Sequence, residues 1–285
     1  MTNNGKSLPP VPAPFRLPFH YGAFHNIGID FLVDPKNPTE RLRGTSLEPT
    51  LFGGKACVSL NYQMYFAQFE NGGSVIQEIE VNIIAHPTAN SSHVPTLTYE
   101  QFAQGEDQTK LIGNSRIHVV CDSALAIEAG KKLFGEPKIP AVFDVTMPTP
   151  NAKPAQLWKI ACNNAILSSD KQRVEPKSPK EPLFSFEADL STLAPAPVSI
   201  APFTEYGVKD KKPVAAPLNV SQPYQGYTLT DATSGRVKLT VSAKDSDVGK
   251  TLTELIGTAK AAGIWVYQSP VVAQQNRAYY VETKS

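Results

Sequence analysis

Only three cysteines interrupt this 285-residue chain, Cys57, Cys121 and Cys162. Their number is odd, their spacing is wide and each lies in strand-like apolar sequence, which excludes a disulfide framework and leaves buried thiols as the expectation. Histidine is nearly as sparse. His20, His25, His86, His93 and His118 lack the close spacing of a metal-ligand set, so no metal is expected. Neither sign of charge dominates: 27 Lys and Arg stand against 26 Asp and Glu, a formal charge of +1, and no global field would recruit nucleic acid. The longest basic cluster, Lys209-Asp210-Lys211-Lys212, is interrupted and followed by proline, and reads as a solvated loop. Phosphate-cradling glycine loops are missing, because Gly53-Gly54 and Gly72-Gly73 mark turns and open no helix; no cofactor is implied. No run approaches the ~20 apolar residues of a membrane span, and residues 1–18 have prolines but no apolar core of signal-peptide type. A cytoplasmic protein with a small-molecule ligand and neither membrane nor nucleic-acid partners is the expectation.

What the chain has is β patterning and proline. The 25 prolines are spread through the connections, which favours many short strands over long parallel βαβ units. Strands are predicted over 24–33, 57–69, 75–85, 116–121, 141–147, 156–167, 183–190, 197–203, 224–230, 236–242, 264–267 and 278–282. Alternation is clear in several: Val58, Leu60, Tyr62, Met64 and Phe66 share one face, with Ser59, Asn61, Gln63 and Tyr65 opposite. A helix is predicted over 248–262, where Leu252, Leu255, Ile256 and Ala259 make a stripe that Gly263 ends. The lysine-, serine- and proline-rich stretch 168–182 reads as a surface loop or hinge. The fold class is therefore mainly β (α+β): a proline-rich arm, 1–18, and one domain, 19–285, built as a closed or nearly closed antiparallel β-barrel with a few appended helices.

The second predicted helix carries the chemistry. In Ala126-Ile127-Glu128-Ala129-Gly130-Lys131-Lys132-Leu133-Phe134-Gly135-Glu136-Pro137-Lys138, Asp122 can cap the start, and Leu125, Ala129 and Leu133 recur at helical spacing. Gly135 supplies a left-handed exit, and Pro137 forbids continuation. The strand that follows places Lys138 at a fixed helix-to-strand joint. Lysines near helix ends usually serve the dipole and solvent, as Lys131 and Lys132 would. Phe134, Ile139, Val142 and Phe143 set Lys138 apart, since burial among them would disfavour its ammonium form and lower its pKa from near ~10.4.

This joint resembles the acetoacetate decarboxylase family, whose Ala-x-x-x-Gly-[basic]-x-x-x-Gly-x-Pro-Lys motif ends in a lysine that forms a Schiff base with substrate. The match covers about a dozen residues through Ala126, Gly130, Gly135, Pro137 and Lys138, with a fainter succession of strands over the first two thirds of the chain. The resemblance implies the barrel, a homo-oligomer, and imine chemistry on Lys138 without a cofactor. Two departures stand out. The second lysine that follows the Schiff-base lysine is Ile139 here, and the early-strand arginine near the substrate carboxylate aligns with Gly22. Either Arg116 or Arg43 replaces that arginine, or the substrate is not an acetoacetate-like acid.

The segment Glu78-Ile79-Glu80-Val81-Asn82-Ile83 alternates as a strand with both carboxylates on one side. The resemblance places a cavity glutamate at Glu78, and a second at a position where Asn61 falls nearest. If the polar face turns inward, Glu78 can shuttle protons; if outward, it meets water. The candidate site is thus Lys138 and Glu78 as catalytic residues, with Arg116, His118 and Phe134 binding substrate, although His118 reads first as a satisfied core histidine. The leading function is a carbon-carbon lyase that decarboxylates a small keto acid. The alternatives are an aldolase or dehydratase acting through the same imine, or a non-catalytic small-molecule-binding barrel. Lys138→Ala is expected to abolish imine formation with folding intact.

Overall fold

The computed structural model describes residues 8–70, 72–151, 156–210, 212–273, 275, 277 and 278; from residue 279 on, the strand predicted over 278–282 lies outside them. In chain order the strands are β1 (His20–Val33), β2 (Leu47–Pro49), β3 (Leu51–Phe52), β4 (Lys55–Phe69), β5 (Gly72–Pro87), β6 (Gly113–Cys121), β7 (Lys138–Thr146) and β8 (Leu157–Leu167). They continue with β9 (Val174–Pro176), β10 (Pro182–Asp189), β11 (Ala196–Val198), β12 (Phe203–Lys209), β13 (Lys212–Leu218), β14 (Tyr224–Thr228), β15 (Val237–Val241) and β16 (Ala261–Gln268). The α-helices are short: α1 (Lys36–Leu42), α2 (Tyr99–Ala103), α3 (Ala124–Ala129) and α4 (Asp247–Leu255). No helix among the described residues is long and apolar enough to cross a membrane.

The sheet runs β11-β14-β16-β1-β4-β5-β6-β7-β8-β10-β15. It is mixed and open, which corrects the expectation of a closed antiparallel barrel: β11 and β15 end the path unpaired with each other, and β6 runs parallel to both β7 and β12. The parallel β6–β7 pair comes from the Lys138 joint itself. The chain leaves β6 through α3 and returns alongside it, and such a helical crossover makes the next strand parallel. β6 also forks. Its first half pairs β12, with Asn114 and Ser115 opposite Glu205 and Tyr206, and its second half pairs β7, with Val119 and Cys121 opposite Lys138 and Pro140.

The long meander β1-β4-β5 has two buried faces of opposite character. Ile27, Ile29, Leu60, Tyr62, Ile79, Val81 and Ile83 lie on one and pack in a single cluster with Trp158, Phe184, Phe186, Leu252 and Leu255. Each such side chain contributes about 1.5–3 kcal/mol through removal from water. The other face carries Asn26, Asn61, Gln63, Glu78, Glu80 and Asn82, also buried. An antiparallel sheet commonly leaves its polar face to solvent. Here the turn after α3, the β12–β13 hairpin and residues 8–20 wall off a chamber over part of it. The proline-rich arm is thus part of the wall, anchored by Phe15, which packs against Ala129 and Leu133.

Three elements differ from their sequence patterns. The helix predicted over 248–262 stops at Leu255, where Gly257 takes a left-handed φ of 54° and the chain is extended again from Ala261. The strand predicted over 197–203 is the ends of two strands, β11 and β12. Lys209 and Lys212 of the basic cluster pair across the end of a β12–β13 hairpin, which Pro213 and Pro217 disguise because proline removes a ladder donor; both prolines sit on β13, which among the described residues pairs only with β12.

Candidate active site

The joint that delivers Lys138 is held by close packing. Ser123, rather than Asp122, caps α3 by accepting the Ala126 N–H at 3.3 Å, while Asp122 accepts the Gln77 backbone N–H at 2.8 Å and ties the joint to β5. The helix widens into a π turn over Gly130–Phe134 and ends at Gly135, whose φ of 64° is left-handed. A Cβ on Gly135 would collide with the Val208 carbonyl, and one on Gly207 with the Phe134 carbonyl, so turn and strand β12 touch backbone to backbone. Glu136 and Lys138, two residues apart at the start of extended chain, then project to the same side. Gly130 makes room for both: a Cβ there would overlap Glu136 Oε2 and lie 2.7 Å from Lys138 Cδ. Gly130→Ala is therefore expected to displace both side chains from their ion pairs and to lower Tm, checked by thermal melts beside the wild type.

Lys138 is 5 % exposed, and its Nζ lies 2.8 Å from Glu78 Oε2 and 3.0 Å from Glu136 Oε2. Glu78 also accepts from Gln63 Nε2 at 2.5 Å and from the Tyr65 hydroxyl at 3.2 Å. Arg116 occupies the fork of β6. Its Nε is 3.3 Å from Glu80 Oε1, its Nη1 3.0 Å from Glu136 Oε1, and its Nη2 pairs with Glu205. Asn82 and Asn61 donate to Glu80 at 3.0 and 3.4 Å. Glu136 thus links the lysine and the arginine, and through Arg116 the three strands β5, β7 and β12 share one ion-pair network. The chamber above it has a volume of about 840 Å³, with Tyr21, Phe24, Tyr65 and Phe134 among its aromatic walls.

This environment corrects the expected titration of Lys138. Burial alone would lower its pKa, but Glu136 and Glu78 outweigh burial and hold it well above the ordinary lysine value. Ile139, Val142 and Phe143 do not line the chamber; Ile139 and Phe143 pack on the apolar face of the sheet. Burial would raise the Glu136 carboxyl, yet Lys138 and Arg116 together hold it below the usual carboxylate range. For Glu80 burial wins over Arg116 and the carboxyl is raised, and Glu205 is likewise pushed up by burial to about 7.

Of the sequence-predicted residues, Lys138, Glu78, Arg116 and Phe134 come together around the chamber. His118 does not. The register shifts between Val81 and Asn82, so His118 faces Val81 on the apolar side while Arg116 faces Asn82 on the polar side. Without that bulge the two would share a face. His118 instead lies 2.8 Å from Thr251 Oγ1. Arg43 is exposed and pairs with Glu40, and Asn61 belongs to the hydrogen bonds around Glu80. Arg116 is not available as a carboxylate clamp, because Glu80, Glu136 and Glu205 already surround it. Glu136, Glu205 and Tyr21 escaped the sequence reading. Glu136 could have been found by the period of two from Lys138, whereas Glu205 lay in a hairpin with no strand signal.

Among the described residues no group of His, Cys, Asp and Glu is arranged to hold a metal ion, and all three cysteines are buried thiols. No family model and no curated protein matches the sequence. Solved structures do match. The enduracididine biosynthesis enzyme MppR, complexed with the condensation product of pyruvate and imidazole 4-carboxaldehyde, aligns with a TM-score of 0.56 at 14% identity over 88% of this chain and 85% of that one. MppR with HEPES buffer bound aligns with the same TM-score at 13% identity over 94% of each chain. An acetoacetate decarboxylase-like enzyme from Sphingomonas wittichii RW1 aligns at 11% identity over 87% of each chain, with a TM-score of 0.49.

Proposed function

We propose that this chain, which shares its fold with MppR, is a cofactor-independent lyase that binds a small carbonyl compound as an imine on Lys138. The observation that carries this reading is the pair of buried carboxylates 2.8 and 3.0 Å from Lys138 Nζ. They suit a cation that persists at that nitrogen, ammonium at rest and protonated imine during the reaction, and a fixed charge in a water-poor site stabilises such a cation without reorganisation. Lys138 starts as ammonium, so its proton must leave before the nitrogen can attack. Glu78 or Glu136 accepts that proton, the C–N bond forms at the carbonyl carbon, and the carbonyl oxygen takes the proton back as a hydroxyl. A second proton from the nitrogen passes through the same carboxylates to the hydroxyl, which departs as water. Departure of water leaves the nitrogen with one proton as the cationic imine, which draws electrons from the neighbouring carbon, and a carboxylate removes a proton from that carbon to give the enamine.

Aldol cleavage, condensation or dehydration fits the chamber better than decarboxylation of a keto acid. A keto-acid carboxylate would face Glu78, Glu80, Glu136 and Glu205, while Arg116 is held by three of them. MppR was solved with the condensation product of pyruvate and imidazole 4-carboxaldehyde, which supports condensation as a reaction class for this fold. A second reading, a non-catalytic binding chamber, draws support from Lys138 being held as ammonium. Borohydride reduction in the presence of aldehydes, ketones and keto acids separates the three. A covalent adduct without released carbon dioxide is expected; an adduct with carbon dioxide restores the decarboxylase reading, and ligand binding without any adduct leaves the binding chamber.

A further inference from the structure

The turn after α3, the β12–β13 hairpin and residues 8–20 roof the chamber, and they are not equally fastened. Turn and hairpin are locked: Gly135 abuts the Val208 carbonyl, Gly207 abuts the Phe134 carbonyl, and β12 also pairs with β6 through Glu205 and Tyr206. Residues 8–18 have no such hold. Pro9, Pro10, Pro12, Pro14 and Pro18 remove backbone donors along this stretch, so it cannot enter a ladder of its own. Among the described residues its backbone is tied by the Phe15 N–H to the Pro12 carbonyl at 3.1 Å and by Lys209 Nζ to the Pro10 carbonyl at 3.3 Å. The ion pair of Arg16 with Glu70 is exposed and contributes little.

Two rings hold the strap in place. Phe15 is 7% exposed and packs against Ala129 and Leu133, while Phe19 stands edge-on to Phe15, Phe69 and Phe134. Leu8, Val11 and Leu17 also line the chamber, yet they remain 89%, 46% and 44% exposed. They cover it without sealing it. Where the strap meets the sheet, the pairing of β1 with β4 slips between Tyr21 and Phe24, and Gly22 lies in that gap. A segment with few backbone hydrogen bonds and one small apolar anchor opens without unfolding its neighbours. We propose that residues 8–19 are the gate of the chamber, hinged at Gly22 and latched by Phe15 in the hollow of Ala129 and Leu133. Bulky guests enter when the latch releases. Because the hollow belongs to the turn that delivers Lys138, the closed strap also packs on that joint.

Limited trypsin digestion of the full chain, read by intact mass, tests the gate apart from the imine reading. The rate of the cut after Arg16 follows the open population of the strap, and the cut after the exposed Lys171 serves as control for the rest of the fold. Leu133→Ala empties part of the hollow and leaves the strap's own sequence intact. It is expected to speed the Arg16 cut at least fivefold while the Lys171 cut changes less than twofold. An unchanged Arg16 rate, or both cuts speeding together, overturns the proposal. Borohydride trapping gives a second measure on Phe15→Ala, which spares α3 and the turn. Acetone and 4-phenylbutan-2-one present the same methyl ketone with different bulk, so the ratio of their trapping rates on Lys138 cancels any change at the amine. Phe15→Ala is expected to raise that ratio in favour of the bulkier ketone at least fivefold; an unchanged ratio overturns the gate while the imine reading stands. If neither ketone leaves an adduct, the imine reading falls and the Arg16 cut alone decides the gate.

Discussion

Arg116→Met should lower the free energy of unfolding by roughly 3–5 kcal/mol, the usual cost of removing one partner from a buried ion pair and leaving its counter-charges unpaired. Arg116 is only 2% exposed at its side chain and joins Glu80 on β5, Glu136 before β7 and Glu205 on β12. It closes the fork where β6 changes partner, so its loss leaves three carboxylates facing one another across the gap. They would take up protons in relief, and the deficit should therefore be smaller at pH 5 than at pH 8. Urea unfolding at both values measures it; a loss under about 1 kcal/mol at pH 8 would show that the network adds little beyond packing. Arg116→Lys should rescue only part of the loss, since one ammonium cannot span three carboxylates as a planar guanidinium does.

Lys138→Met should abolish imine trapping and also destabilise the protein, by an amount that grows with pH. This differs from the sequence expectation that removal of a lone buried amine would leave folding intact, because Glu78 and Glu136 are paired with that amine. The pKa of Lys138 is raised in the folded state, so its contribution is complete below the unfolded value near ~10.4 and fades only as pH rises through the folded value. Glu136 is lowered, so its contribution is present above the unfolded value near ~4.3 and is lost as pH falls through the folded one. Between pH 5 and 9 the wild type keeps both. Without Lys138, burial drives the Glu136 carboxyl toward its protonated form, and each pH unit from the unfolded value near ~4.3 up to its new, raised pKa costs about 1.4 kcal/mol. Stability curves of wild type and variant should converge near pH 5 and separate by pH 8. Parallel curves would mean that Lys138 carries no charge-dependent share of the fold.

The legible parts of the sequence were those governed by local rules. The period of two in 57–69 and 75–85 separated an apolar face from a polar one, and the glycines and proline around Lys138 announced a fixed joint, with Gly135 left-handed as expected. What escaped depended on distant partners. Alternation shows that Glu78 and Glu80 share a side, but the roof that encloses them comes from a hairpin more than a hundred residues later. The β6 bulge that separates His118 from Arg116 follows from pairing with β5 and leaves no trace in either segment alone. The pKa of Lys138 went wrong for a related reason: apolar neighbours in sequence belong to the opposite face of the sheet, while its spatial neighbours are carboxylates.

The central claim is that the Lys138 nitrogen, enclosed between two carboxylates, condenses with a carbonyl guest. Peptide mapping after borohydride reduction tests it most directly. The expected result is one added substrate mass on the peptide that holds Lys138, absent from Lys138→Met and from samples reduced before the carbonyl compound is added. An adduct spread over surface lysines, or turnover that persists in Lys138→Met, would contradict it.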